Sequence, residues 1–118
     1  MPCLKVETNV PQAKIPADFP IKLTNVIAKS LGKPASYCMA IVTGGVSMAF
    51  GGSNEPCAYA SLMSIGALGV SENKKHSKAI AECMASIGVP ADRMYIHFVD
   101  SPSSVVGYNG STFHDILG

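Results

Sequence analysis

Residues 18–43, DFPIKLTNVIAKSLGKPASYCMAIVT, decide the fold. Phe19, Leu23, Val26, Ile27 and Leu31 recur at the helical period and predict a helix over 18–31 with one apolar face. Asp18 stands where an N-terminal cap belongs, and Pro20 sits in the first turn, where a missing N–H costs nothing. Gly32 followed by Pro34 stops the helix. Residues 37–43, YCMAIVT, then read as a strand that is apolar on both faces. Upstream, residues 3–10 (CLKVETNV) alternate and meet Pro11, which predicts a strand ending in a turn. Strand, helix and strand follow one another, and a crossover helix implies parallel pairing of the strands it joins.

The pattern then recurs. Residues 57–65 (CAYASLMSI) predict a buried strand, broken by Gly66 and Gly69. Residues 71–87 predict a helix with Ser71 as its cap and Ile80, Cys83, Met84 and Ile87 on one face, closed by Gly88 and Pro90. Residues 93–99 (RMYIHFV) predict another strand. Between the repeats, Gly44-Gly45 turns the chain into a short strand at 46–50; a last short strand at 104–108 precedes an Asn109-Gly110 turn. Two pseudo-symmetric β-α-β repeats predict an α+β fold: a four-stranded mixed sheet, both helices on one face, and short edge strands. The other sheet face is left bare. With apolar residues on both strand faces, copies of the chain are expected to cover it. Residues 1–118 are expected to form a single domain.

Composition points the same way. Hydrophobic residues make up 47% of the chain and charged ones 14%, against roughly 25% charged in an ordinary soluble domain. So few charges on a small domain favour an oligomer. A net charge of +1 gives no electrostatic case for nucleic acid or an anionic membrane. No apolar run is long enough for membrane insertion, and the first residues lack the basic and apolar regions of a signal peptide. Cys3, Cys38, Cys57 and Cys83 show no paired spacing and read as buried free thiols. His76, His97 and His114 are scattered, so no metal and no cofactor are expected. Asn109-Gly110-Ser111 matches a glycosylation acceptor, but reads as a turn.

Pro2 carries the chemistry. With Met1 removed, its nitrogen becomes a secondary amine, a base that no internal residue supplies; with Met1 retained, the same nitrogen is an amide without basicity. After Pro2 come, in order, Gly32-Lys33-Pro34, the stretch Phe50-Gly51-Gly52-Ser53-Asn54-Glu55-Pro56-Cys57-Ala58, Ser64-Ile65-Gly66, and Asn109-Gly110-Ser111-Thr112-Phe113. Collinear at this spacing, from Pro2 to Phe113, these motifs closely resemble the macrophage migration inhibitory factor family of the tautomerase superfamily. Phe50-Gly51-Gly52 and Gly110-Ser111-Thr112-Phe113 favour that branch over D-dopachrome tautomerase.

The resemblance implies a homotrimer whose sheets wrap into a central barrel, with a site around the N-terminal proline at each subunit interface. It implies keto–enol tautomerisation of phenylpyruvate-like aromatic 2-keto acids and dopachrome-type substrates, with Pro2 as catalytic base. Such a base must ionise near ambient pH. Apolar walls (Cys3, Val106, Phe113) and the Lys33 ammonium would lower its proton affinity. Lys33 would hold the substrate carboxylate and Ile65 would offer its backbone N–H. Tyr37 and Tyr108 would form the rim, and Tyr95 and His97 would reach into the neighbouring subunit's pocket.

Residue by residue, each site position also has a plain structural reading. Lys33 can be a solvated charge at a helix end, Ile65 a core residue and Tyr95 an interface tyrosine. Three departures from the family pattern stand out. His97 replaces a common asparagine, Tyr108 replaces a common tryptophan, and Ala60 removes the second cysteine of a Cys-x-x-Cys beginning at Cys57, so no dithiol exchange is expected. The tail His114–Gly118 runs past the family's usual stop; it is expected to pack on the trimer or to cover part of the pocket mouth. The resemblance also implies a cytokine-like ligand of a cell-surface receptor, cytoplasmic and secreted without a signal peptide. A receptor-binding homologue with a vestigial pocket, or a scaffold trimer, are the rival functions.

Overall fold

The computed structural model describes residues 2–118; the expected removal of Met1 lies outside them. The first repeat is β1 (Cys3–Thr8), α1 (Phe19–Leu31) and β2 (Met39–Thr43). The second is β3 (Ala58–Ser64), α2 (Val70–Ala85) and β4 (Met94–Asp100). A hairpin of β5 (Gly107–Tyr108) and β6 (Ser111–Thr112) and a short helix α3 (Phe113–Leu117) follow. The sheet order is β2-β1-β3-β4. Each repeat pairs its own strands in parallel, and β1 and β3 join the two repeats antiparallel. The mixed sheet expected from two β-α-β units is therefore present.

Both helices pack on one sheet face. Leu4 and Val6 of β1 and Ala58, Ala60 and Leu62 of β3 meet Phe19, Leu23 and Ile27 of α1 and Ile80 and Met84 of α2 in a single buried cluster. The two helices end alike: Gly32 (φ 67°) and Gly88 (φ 91°) take the left-handed conformation that stops a helix. At the other end of α2 the expected cap is corrected. Gly69, not Ser71, precedes the helix, and the Glu72 carboxylate accepts from the Gly69 N–H at 3.0 Å. A Cβ on residue 69 would lie 2.9 Å from that carboxylate oxygen, so the close approach itself requires glycine.

Two expected strands are also corrected. Residues 46–50 alternate in exposure but form no strand, because no described strand lies beside them; Phe50 makes only an isolated bridge to Ser53. Residues 103–105 form a 3-10 turn, and only Gly107–Tyr108 of the expected 104–108 strand pairs, across Asn109 and Gly110, both at positive φ as a tight two-residue hairpin requires. The remaining shifts are at element ends: α2 stops at Ala85 and β2 starts at Met39.

The face away from the helices is uncovered by the described residues, as expected, but it is not uniformly apolar. Met39, Ile41, Tyr59, Tyr95 and Val99 are exposed on it. Lys5 and Glu7 of the central strand, Ser61 and His97 point the same way by the alternation of the strands.

Candidate active site

β1 enters the sheet between β2 and β3, and Pro2 stands just ahead of it. The Pro2 carbonyl accepts from the Met39 N–H at 3.0 Å. The ladder that pairs Cys3 with Met63 runs on to bring Ser64 beside Pro2. Pro2 and Ser64 are both buried, and the Ser64 hydroxyl has no hydrogen-bond partner among the described residues. A small polar residue at the end of an apolar strand gave the sequence reading no reason to single it out. An unpartnered buried hydroxyl beside the proline makes Ser64 a candidate for contact with substrate.

Lys33 arrives from the other side. Gly32 turns the chain at the end of α1, and the Lys33 N–H closes the helix on the Ala28 carbonyl at 3.0 Å. The half-buried side chain then returns to the sheet, where Nζ donates to the Ile65 carbonyl at 3.0 Å. An ammonium has three donors, and this bond uses one. Lys33 is thus a fixed cation at the end of β3, not a loose charge after a helix. The Ile65 group engaged in the described chain is its carbonyl.

An aromatic cluster flanks these residues. Tyr37 closes the 3-10 turn Ala35–Tyr37 that leads into β2. Its ring meets Tyr108 edge-on at 5.5 Å and Phe113 at 6.1 Å, while Tyr108 stacks on Phe113 at 5.2 Å. The Phe113 N–H donates to the Val106 carbonyl at 3.0 Å, which folds the terminal hairpin and α3 together. Phe113 is buried and Val106 half-buried; Tyr37 and Tyr108 are exposed, as rim residues would be.

Tyr95 and His97 are not brought to this end. Tyr95 pairs with Tyr59 and His97 with Ser61 on the edge strand β4. Five residues separate Tyr59 from Ser64, about 17 Å along a strand. Tyr95 is 67% exposed and rests on Phe50 at 5.1 Å. The loop that carries Phe50 is held by Arg93, which the sequence reading did not single out. Its guanidinium donates to the carbonyls of Phe50, Ser53, Glu55 and Pro56 and lies over the Phe50 ring. The largest groove, about 710 Å³, also lies away from Pro2, between α2 and β4, where Ala81, Met94, Ile96 and Phe98 line it.

A family model, macrophage migration inhibitory factor, matches residues 1–114. The chain belongs to the macrophage migration inhibitory factor family. It is 45% identical to the homologue from Brugia malayi over 114 residues, 96% of this chain and 99% of that one. It is 41% identical to the factor from Mus musculus, again over 96% of this chain and 99% of that one. Among solved structures, the factor from Trichinella spiralis superposes with a TM-score of 0.89 at 36% identity, covering 94% of this chain and 99% of that one. The homologue from Prochlorococcus marinus superposes at 0.86 and 37% identity, covering 94% and 98%.

Within this family frame the departures have definite places. Cys57 is buried, its N–H donating to Asn9 Oδ1 at 2.9 Å, and Ala60 is buried in the core cluster. Burial pushes the Cys3, Cys38 and Cys83 thiols above their ordinary value, for Cys38 against the pull of nearby positive charge that includes Lys33. His97 is exposed, with Nδ1 3.5 Å from the Tyr59 hydroxyl, the outer limit of a hydrogen bond. The tail forms one short helix, capped by the Thr112 hydroxyl, with residues 114–118 exposed. No cluster of three metal-binding side chains occurs among the described residues, and no described helix is long and apolar enough to cross a membrane.

Proposed function

We propose that this chain, once Met1 is removed, is a keto–enol tautomerase of phenylpyruvate-like aromatic 2-keto acids and dopachrome-type substrates. Family membership supports tautomerase-type isomerase activity in general. The observation that carries the specific reading is the half-buried Lys33 ammonium, bonded to the Ile65 carbonyl at the end of the sheet that begins with Pro2. Lys33 holds the substrate carboxylate. The Pro2 amine, kept partly unprotonated by its apolar surroundings and the nearby cation, takes a proton from the carbon next to the carbonyl. The C–H electrons form the enol double bond as the carbonyl oxygen gains a proton; the reverse sequence regenerates the ketone. Tyr37, Tyr108, Val106 and Phe113 border the substrate ring, and Ile65 offers its backbone N–H.

Tyr95 and His97 serve a second chain in this reading. The exposed edge of β4, the open sheet face and the unpaired 46–50 segment support a homotrimer in which these two residues complete a neighbour's pocket. The test is enol–keto interconversion of phenylpyruvate by the purified protein. Acceleration over buffer supports the enzyme; none with phenylpyruvate or with a dopachrome ester would sink it.

A second reading rests on the relatives' printed name, macrophage migration inhibitory factor. The trimer would then act as a cytokine-like ligand of a cell-surface receptor, cytoplasmic until released without a signal peptide. Receptor activation by a Pro2→Gly variant would separate the two activities.

A further inference from the structure

The loop between β3 and α2 is held at every residue by a side chain from elsewhere in the chain. Lys33 Nζ donates to the Ile65 carbonyl, and Asp100 Oδ1 accepts from the Gly66 N–H, both at 3.0 Å. His76 Nε2 lies 2.7 Å from the Ala67 carbonyl, Asn73 Nδ2 donates to the Leu68 carbonyl at 3.3 Å, and Glu72 Oε1 accepts from the Gly69 N–H at 3.0 Å. The loop needs this restraint. Gly66 and Ala67 both take positive φ, 77° and 62°, and a left-handed alanine costs roughly 1–2 kcal/mol.

His76 is the only one of the five that also reaches the first repeat. It is 1% exposed, and its Nδ1 lies 2.6 Å from the hydroxyl of the buried Ser30 on α1. A carbonyl oxygen only accepts, so Nε2 carries the proton bonded to Ala67. Ser30 is three residues before Lys33, and Ala67 two residues after Ile65. The imidazole therefore ties the end of α1 that aims Lys33 to the loop that presents Ile65. Lys33 alone makes a poor anchor for that loop, because its ammonium is the group a bound carboxylate attracts.

We infer that His76 is a positioning residue: through its Nε2–H on the Ala67 carbonyl and its Nδ1 on Ser30, it keeps the Ile65 backbone and the Lys33 ammonium in register while substrate occupies the lysine. This rests on the tautomerase reading of the site. His76 touches no substrate. It acts by fixing a backbone that two left-handed residues would otherwise leave free to relax.

Two variants separate this role from simple filling of the core. In His76→Gln the side-chain nitrogen replaces Nε2 and still donates to Ala67. In His76→Asn the polar atoms reach only as far as Nδ1, so the Ala67 bond is lost. Phenylpyruvate kinetics well below the unfolding temperature should show KM raised about tenfold or more in His76→Asn, since small misplacements of positioning groups cost factors of this order. In His76→Gln, KM should stay within about threefold. Amide exchange should quicken at Gly66 and Gly69 in the Asn variant alone. Equal KM and equal exchange in the two variants would overturn the proposal, whatever their melting temperatures. If neither variant folds, Ser30→Ala, which removes only the α1 anchor, must raise KM by a smaller factor; an unchanged KM there overturns the proposal. A wild-type protein without turnover defeats the tautomerase reading instead, and the exchange comparison still decides what holds the loop.

Discussion

The two ends of the sheet are built differently. At the end where β1 begins, Pro2 and Ser64 are buried, Lys33 is fixed on Ile65, and three aromatic rings touch one another. At the opposite end of the edge strand, Tyr95 and His97 are exposed and braced from below by Phe50 and the Arg93 clamp. The first end is finished within one chain; the second offers organised side chains with nothing in the described chain to act upon. The contrast teaches that a site can be divided by strand register alone. Residues on one sheet, too far apart to meet within a chain, can meet between copies of it.

The largest effect should come from the finished end. Replacing Pro2 by glycine removes the ring amine from the base, and turnover of phenylpyruvate should fall by about a hundredfold or more, with the assembly unchanged by light scattering. Turnover within a few-fold of wild type would remove Pro2 from the chemistry. The next effect tests the division itself. Pro2→Gly and Tyr95→Ala chains, each impaired alone, should regain part of the lost turnover when unfolded and refolded together. A mixture no more active than its parts would place both residues in one chain's pocket, against the register. Lys33→Ala should raise KM for phenylpyruvate by about tenfold to a hundredfold, the worth of a charge-assisted hydrogen bond, with kcat less affected. A loss confined to kcat would show that Lys33 does not hold the carboxylate.

The smallest effect concerns the thiols. The pKa values of Cys3, Cys38 and Cys83 are raised above 9.0 chiefly by burial. The folded state therefore favours the protonated thiols. Their contribution to stability is fully present below pH 9 and is lost as pH rises through the folded values. Chemical unfolding followed from neutrality upward should show a decline only on the alkaline side of about pH 9. A thiol assay of the native protein at neutral pH should be slow at all four cysteines; a fast, reversible disulfide at Cys57 would contradict the reading of Ala60.

Much of this was legible in the chain. The helix over 18–31, its Gly32 stop and the Asn109-Gly110 turn follow from local rules, because periodicity and left-handed glycine are properties of neighbouring residues. The collinear motifs pointed to the family and to Lys33. Segment 46–50 misled because alternation records exposure, whereas a strand needs a partner that no sequence window contains. Ser71 misled because the cap was written in reverse: Glu72 reaches back to Gly69. Ser64, His76, Asp100 and Arg93 went unsingled because their importance lies in contacts across long stretches of chain. A lone buried histidine or an arginine before a strand looks ordinary until the carbonyls around it are counted.

The most direct measurement compares two forms of the same protein, one with mass spectrometry confirming Pro2 as the first residue and one retaining Met1. Both are assayed for phenylpyruvate enol–keto interconversion across pH. The account predicts turnover in the first form, rising as pH passes through the ionisation of the free amine, and only the buffer rate in the second. Equal turnover in the two forms would contradict it, because an amide nitrogen cannot accept the proton.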